Sequence, residues 1–177
     1  HLVELSENNP GEIILFKSDL LERGSFNAAA NGCNIVVHTA SPFLFKFNDP
    51  VKDLINPAFE GTKNVLEAVN FTDSVKRVVL TSSCAAIYGD ANECEHAPNN
   101  TLTEAIWNNT SSASHQPYSY GKTIAEREAW KLADAQKRWS LVVINPPVVL
   151  GPTVSGKSTS ASHDLCLQIG DGTMTSG

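Results

Sequence analysis

The stretch Arg77-Val78-Val79-Leu80-Thr81-Ser82-Ser83 joins a run of apolar, mostly β-branched residues to a small hydroxyl-rich turn. The run does not alternate between apolar and polar residues, and this pattern is typical of a parallel strand that is covered on both faces of its sheet. Similar runs occur at 13–16, 35–38 and 141–144. These four segments are predicted strands.

Segments with helical patterns separate the predicted strands. A short helix is expected over 21–31, a long one over 49–69 and a third over 118–136, because apolar or alanine residues recur there at helical spacing. Pro57 should kink or restart the long helix, since its nitrogen carries no hydrogen for the helical ladder. The alternation of strands and helices predicts an α/β protein with a parallel sheet.

The composition narrows the class of protein. The 177 residues carry a formal net charge of -6 and have a pI of about 5.3, which disfavours a nucleic-acid-binding surface. No apolar run approaches the roughly 18 residues needed to span a bilayer, and the first residues lack a signal-peptide pattern. The four cysteines fit no metal-binding spacing and are expected to be buried free thiols. We therefore expect a cytoplasmic protein with no membrane partner, no nucleic-acid partner and no metal.

Two features indicate where a ligand would bind. Small or hydroxyl residues close three predicted strands, at 39–41, 81–83 and 145–148, and ligands of parallel sheets bind at the carboxyl ends of strands. Tyr118 and Lys122 lie one turn apart on one helix face. A nearby ammonium lowers the pKa of a phenol from about 10, so that the phenol can exchange a proton with a substrate oxygen. The same spacing also arises by chance, as a pair of solvated side chains.

Together, five segments resemble a known family in the order in which they occur. The chain is similar to the extended short-chain dehydrogenase/reductase family, part of the NAD-dependent epimerase/dehydratase superfamily. It most resembles the branch of dihydroflavonol reductase, cinnamoyl-CoA reductase and yeast-type carbonyl reductase. The resemblance runs from about Asp19 to the C-terminus, and it implies a Rossmann-like doubly wound parallel sheet. The segments are 36–42 (Val-Val-His-Thr-Ala-Ser-Pro), 56–66 (Asn-Pro-Ala-Phe-Glu-Gly-Thr-Lys-Asn-Val-Leu), 78–83, 118–126 and 145–152.

The resemblance implies roles for three catalytic residues. Tyr118 would be the general acid that protonates a carbonyl oxygen as hydride arrives from the nicotinamide. Lys122 would lower the pKa of Tyr118 and hold the nicotinamide ribose. Ser83, preferred to Ser82, would donate a hydrogen bond to the substrate oxygen. Tyr120 has no lysine four residues later and is expected to be a packing residue.

The resemblance also implies a cofactor, NADP, with NAD as the other possibility. Asp19 and Leu20 match a position that contacts the adenine, and Pro147 and Val148 match the backbone beside the carboxamide. The segment from Thr39 through Ala40 to Ser41 matches the stretch along the phosphates and ribose. The expected cofactor-binding residues are Asp19, Leu20, Thr39, Ala40, Ser41, Tyr118, Lys122, Pro147 and Val148.

Two departures from the family pattern qualify these expectations. Ala58 stands where sugar-nucleotide epimerases carry an asparagine, which favours the reductase branch. The glycine-rich turn that cradles a dinucleotide pyrophosphate is absent from the chain. We therefore expect an internal fragment that lacks the first βαβ unit. Residues 1–152 would be a partial dinucleotide-binding domain, and 153–177 would begin the substrate-binding portion.

Three functions remain open from the sequence. The first is a reductase of an aldehyde, ketone or activated carbonyl, acting as a monomer or homodimer on a small molecule. The second is a non-catalytic structural or binding subunit derived from the family, and the third is a sugar-nucleotide epimerase or dehydratase. Phe43, Phe45 and Phe47 would either line an apolar substrate pocket or serve only in packing.

Overall fold

The computed structural model describes residues 2–7, 9–44, 46–152 and 160–174. The chain divides into one compact unit over residues 17–147 and a second unit that combines residues 1–16 with 148–177. The described helices of the second unit are α1 (Leu2–Glu7) and α5 (Ala161–Gly170). The first unit contains α2 (Asn27–Ala30), β1 (Ile35–His38), a π-helical turn (Val51–Ile55), α3 (Asn56–Asn70), β2 (Arg77–Thr81), α4 (Pro117–Asp134) and β3 (Ser140–Ile144).

The three strands form a parallel sheet in the order β1-β2-β3. His38 at the end of β1 is in register with Leu80 of β2, and Leu80 is in register with Val143 of β3. The predicted strands at 35–38, 77–81 and 141–144 are therefore confirmed, as is the α/β class. All three strands end at the same edge of the sheet, and this edge carries the hydroxyl-rich turns.

The helices α3 and α4 cover one face of the sheet. The long predicted helix is confirmed as two pieces, because the π-helical turn ends at Ile55 and α3 begins with Pro57 in its first turn. At Gly121 of α4 an added Cβ would lie 3.3 Å from the Ile55 Cα, so glycine permits a close approach of the two helices. The buried core between this face and the helices consists of Leu66, Val69, Val75, Val78, Leu80, Ala129 and Trp139.

The expectation that both faces of the sheet are covered is wrong for the described residues. On the face away from α3 and α4, the exposed fractions of Ile35 and Val37 are 58% and 61%, and Val142 and Ile144 are also exposed. The continuous apolar pattern of the strands is present, but only one of their two faces is buried here.

Two predicted elements differ from the structure. The segment 13–16 is not a strand and its apolar side chains are exposed, because no described strand lies beside it to complete its hydrogen bonds. The predicted helix over 21–31 is reduced to the four residues of α2. Turns precede α2, and Gly24 has a left-handed φ of +79°, which is incompatible with a continuous helix.

The cysteines are free, as expected, but they are not fully buried. Cys33, Cys84 and Cys94 are half-buried and Cys166 is exposed. Among the described residues no helix is both long enough and apolar enough to cross a membrane.

Candidate active site

The site lies at the carboxyl edge of the sheet, where backbone hydrogen bonds continue beyond the ends of two strands. The Ser82 amide donates to the Ile144 carbonyl at 2.8 Å, and the Cys84 amide donates to the Pro146 carbonyl at 3.1 Å. These bonds hold the turn after β2 beside the segment that follows β3. The position of Ser83 is thus fixed by the sheet itself.

Ser83 precedes a single 3₁₀ turn, Cys84–Ala86, and its side chain caps that turn. Its Oγ accepts a hydrogen bond from the Ala85 amide at 3.2 Å. The Ser83 hydroxyl is also close enough to the Tyr118 phenol to lower the pKa of that phenol. The neighbouring Ser82 Oγ is buried and has no partner among the described residues. The structure therefore brings Ser83, rather than Ser82, to Tyr118.

Tyr118 occupies the first turn of α4. The helix begins sharply, because Gln116 has a left-handed φ of 54° and Pro117 fixes the first helical residue. The Phe43 ring packs against Tyr118 with 4.9 Å between ring centroids and an angle of 55° between ring planes. The phenol is thus held between an aromatic ring and the hydroxyl of Ser83.

The expectation that Tyr118 has a lowered pKa is wrong for this structure. Burial raises the pKa of Tyr118, while the nearby Ser83 hydroxyl acts in the opposite direction. Lys122 lies one turn later, but its Nζ is 6.0 Å from the centre of the Tyr118 ring and donates instead to the Thr81 carbonyl at 3.2 Å. Burial is therefore the largest influence on the pKa of the phenol.

Lys122 is a buried cation. Burial lowers its pKa from 10.5 to about 8, and the nearby carboxylate of Glu126 opposes that change. A group with this pKa is mostly protonated at neutral pH. The ammonium remains available at the site, although it is largely removed from water.

A small polar cavity surrounds Lys122. Burial, and then the charge of Lys122, lower the pKa of His38 to about 4, so His38 is neutral. Its Nε2 lies 3.4 Å from the Thr62 hydroxyl. The cavity is lined by polar side chains from four elements or their ends: His38, Ser41, Thr62, Ser82, Lys122 and Glu126.

Sequence reasoning did not assign a role to His38, Thr62 or Glu126. Two signals were available in the sequence. His38 ends β1 and directly precedes the small residues 39–41, and Glu126 lies one further helical turn after Lys122. Neither signal distinguishes a site residue from an ordinary buried polar residue without the fold.

The predicted phosphate and ribose segment partly reaches this cavity. Ala40 and Ser41 line it, whereas Thr39 is exposed. The Ser41 Oγ, like that of Ser82, is buried without a partner among the described residues. The cavity encloses only about 10 Å³, roughly the space for one water. It therefore suits a single polar group of a ligand at its mouth, which fits a sugar hydroxyl.

Asp19 and Leu20 lie elsewhere, against the outer side of α3. The Leu20 carbonyl accepts a hydrogen bond from Asn64 Nδ2 at 2.7 Å, and its side chain covers Gly61. Asp19 is exposed, and its Oδ1 accepts from the Leu21 amide at 2.8 Å. Neither residue lines the cavity, so their contact with an adenine stays a prediction.

The remaining predicted site residues are Pro147, Val148 and the three phenylalanines. Pro147 is exposed directly after the segment that pairs with Cys84, and Val148, which is exposed, begins the C-terminal part of the second unit. Phe45 lies outside the described residues, while Phe43 and Phe47 are both exposed. Of the aromatic trio, Phe43 is the one seen in contact with a predicted catalytic side chain.

The family is decided by comparison of the chain with known proteins. A model of the NAD dependent epimerase/dehydratase family matches residues 3–173. The chain belongs to this family. The resemblance seen in the sequence, including its reductase branch, is confirmed by the relatives.

Several relatives of this family member are reductases. It is 40% identical over 170 residues to a cinnamoyl-CoA reductase of Medicago truncatula, a match covering 94% of the chain and 51% of the relative. It is 36% identical over 167 residues to tetraketide alpha-pyrone reductase 1 of Arabidopsis thaliana, covering 93% of the chain and 50% of the relative. The chain thus spans about half the length of the curated relatives it matches.

A solved structure supports the same family assignment. The chain superposes on Gre2 of Candida albicans, solved in complex with NADPH, with a TM-score of 0.75 and 32% identity. The match covers 90% of this chain and 51% of that one. The Rossmann-like parallel fold is therefore shown, and the described sheet is a part of it.

Proposed function

We propose that the whole protein is an NADP(H)-dependent reductase that transfers hydride to an aldehyde, ketone or activated carbonyl, with Tyr118 as the proton donor. The observation that carries this proposal is that the Ser83 hydroxyl lies beside the Tyr118 phenol, while Lys122, one helical turn later, is bonded to the Thr81 carbonyl at the end of β2. The reductase names of several relatives support the reaction class. A sugar-nucleotide epimerase or a non-catalytic subunit finds no comparable support in the site.

Two hydroxyls converge at the proposed reaction centre. Hydrogen-bond donors aimed at one oxygen stabilise the negative charge that develops there as a carbonyl is reduced. Ser83 is held in position by its turn, and Tyr118 by the start of α4 and the Phe43 ring. The pair can therefore hold a carbonyl oxygen in one place without rearrangement of the backbone.

The protonation states of Tyr118 and Lys122 suit the reduction of a carbonyl. Because burial raises the pKa of Tyr118, the phenol keeps its proton at neutral pH and can give it to the product oxygen. The tyrosinate that remains would be stabilised by the ammonium of Lys122. Ser83 carries no formal charge in this scheme and serves as a hydrogen-bonding partner of the oxygen.

NADP(H) would supply the hydride. Lys122, together with the unpartnered hydroxyls of Ser41 and Ser82, provides hydrogen-bonding groups that fit a ribose at the mouth of the cavity. NADP is preferred to NAD because the similar Gre2 structure of Candida albicans contains NADPH. Phe43 would form an apolar wall for the substrate, since its ring already contacts Tyr118.

The proposal is tested by assaying the full-length protein for oxidation of NADPH in the presence of an aldehyde, a ketone and an acyl thioester. A carbonyl-dependent loss of NADPH, with an alcohol or aldehyde formed in equal amount, is expected for at least one class. NADH should be the poorer donor. Interconversion of a sugar nucleotide without net NADPH oxidation would indicate the epimerase function instead, and binding of NADPH with no turnover of any class would indicate a non-catalytic subunit.

A further inference from the structure

One amide side chain connects the three elements that form the site. Asn145, the residue directly after β3, donates through Nδ2 to the Ser83 carbonyl at 3.1 Å and to Glu126 Oε2 at 2.8 Å. An amide nitrogen carries two hydrogens, so both bonds can form at once. Asn145 thereby ties the turn after β2 to helix α4, and Ser83 is part of that turn.

Glu126 is the acceptor at the helix end of this connection. It is only 7% exposed, and its other oxygen, Oε1, accepts from Trp130 Nε1 at 3.4 Å. A buried carboxylate is costly unless it is hydrogen-bonded and paired with an opposite charge. Asn145 and Trp130 supply neutral donors, and Lys122 supplies the positive charge, because it lies in the same cavity one helical turn earlier.

Helix stabilisation alone does not account for this pair of charges. On exposed helices a lysine that precedes a glutamate by four residues is the less favourable of the two orders, and either order stabilises the helix only slightly. Here both side chains are buried at the site. A role at the site, beside Ser83 and Lys122, therefore explains the buried Glu126 better than helix stabilisation does.

The other titratable groups that face Lys122 do not supply a negative charge. His38 approaches from β1 and is neutral, because its pKa is lowered to about 4. Tyr118, on the same helix, keeps its proton because its pKa is raised. Among the described residues that line the cavity, Glu126 carries the negative charge.

We propose that Glu126 and Asn145 are positioning residues: Asn145 anchors the Ser83 turn to α4, and Glu126 is the counter-charge of the buried Lys122 ammonium. The kinetic part of this inference rests on the proposed reductase function. The electrostatic part does not, because it concerns the ionisation of Lys122 in the folded protein whatever reaction that protein catalyses.

The first test measures the ionisation of Lys122 in the full-length protein by competitive acylation across a pH series, read by mass spectrometry. In Glu126→Gln the pKa of Lys122 should fall by at least about half a pH unit, because a nearby negative charge is lost. Glu128→Gln is the matched control: Glu128 is on the same helix and pairs with the exposed Lys131 at 3.1 Å, so Lys122 should titrate as in the wild type. An unchanged Lys122 pKa in folded Glu126→Gln would overturn the counter-charge.

A second variant protects this test against a folding failure of Glu126→Gln. Glu126→Ala removes the same carboxylate with a smaller side chain, so the pKa of Lys122 should again fall below its wild-type value. An unchanged pKa of Lys122 in folded Glu126→Ala would count against the counter-charge as firmly as the first result.

The second test separates positioning from simple stabilisation. Asn145→Leu preserves the approximate size of the side chain but removes both hydrogen bonds, so kcat should fall by about tenfold or more while the KM for NADPH changes less than about threefold. A stabilising role alone would lower the melting temperature and leave kcat of the folded enzyme within about twofold, which would overturn the anchoring role. If the wild-type protein shows no reductase activity, the proposed function fails, and the Lys122 titration still decides the counter-charge.

Discussion

Tyr118, the proposed proton donor, has an environment that suits one direction of the proposed reaction. Its phenol is half-buried against Phe43, and this burial raises its pKa. A proton donor must carry its proton when the substrate arrives, so burial favours reduction. Lys122 is held 6.0 Å away from the ring centre by the Thr81 carbonyl, where it can respond to a developing tyrosinate without removing the proton beforehand.

His38 should make the stability of the protein sensitive to acid. The fold lowers its pKa from 6.5 to about 4, so the unfolded chain takes up the proton first as the pH falls. Below pH 6.5 the free energy of unfolding should therefore decrease, and the loss should be complete near pH 4. At about 1.4 kcal/mol per pH unit the total contribution is about 3 kcal/mol.

The measurement is denaturant unfolding of the full-length protein between pH 4 and 6.5. His38→Gln should flatten this part of the pH dependence, since glutamine does not titrate and can still bond to Thr62. His96→Gln is the control, because His96 is exposed, and it should behave as the wild type. The same pH dependence in His38→Gln and the wild type would show that His38 is not responsible.

The residues of the site were predictable to different degrees. Tyr118 and Lys122 are visible because helical spacing alone puts them on one face. Ser83 could be preferred to Ser82 only through family resemblance, and in the structure Ser83 is the serine that acts on the pKa of the Tyr118 phenol. Asn145 and Glu126 were not predictable as partners, because they come from separate elements and meet only when β3 packs beside α4.

At the scale of elements, a strand predicted from the sequence is present in the structure where neighbouring strands complete its hydrogen bonds. The strand at 77–81 has a partner on each side and was predicted to the residue. The segment 13–16 has an equally apolar pattern but no strand beside it among the described residues, so the pattern did not produce a strand. The helix over 21–31 was overextended because the sequence does not reveal that Gly24 adopts a left-handed φ.

Gly61 should be intolerant of any side chain. A Cβ there would lie 2.9 Å from Leu20 Cδ2 and 3.1 Å from Leu20 Cβ, so Gly61→Ala must displace the segment that carries Leu20. The expected loss is about 1–3 kcal/mol from overpacking, partly offset by up to about 1 kcal/mol of helix propensity. If Leu20 contacts the adenine, the KM for NADPH should also rise while kcat is retained.

Thermal unfolding and steady-state kinetics check this prediction. Gly170→Ala is the control, since nothing lies within 4 Å of a Cβ at that position in α5. It should leave both properties unchanged or slightly raise the melting temperature. A Gly61→Ala protein as stable as the wild type would show that Leu20 does not pack as described.

At the scale of the whole molecule, the described residues leave an apolar face of the sheet exposed. Val37 and Ile35 are more than half exposed, and the sequence contains no glycine-rich turn to cradle a pyrophosphate. Residues 1–177 expressed alone should therefore bind a hydrophobic dye and should bind NADPH with a Kd in the millimolar range or weaker, about 4 kcal/mol of binding free energy.

Dye fluorescence and calorimetric titration test the two parts of this prediction. Val37→Thr should reduce the dye signal, whereas Val78→Thr, on the buried face, should raise it by loosening the core. A cooperatively melting chain of 177 residues with micromolar affinity for NADPH would show that its cofactor site is built differently from the family pattern.

The central claim is that Tyr118 gives the proton in a carbonyl reduction, and one comparison tests it most directly. Full-length Tyr118→Phe and Tyr120→Phe are assayed side by side for carbonyl-dependent NADPH oxidation, with NADPH affinity measured separately. We predict that Tyr118→Phe lowers kcat by roughly 10²–10⁴-fold, the usual contribution of a general acid, with little change in NADPH affinity. Tyr120→Phe, two residues along the same helix, should stay close to the wild type. A Tyr118→Phe enzyme within about threefold of wild-type activity would contradict the account.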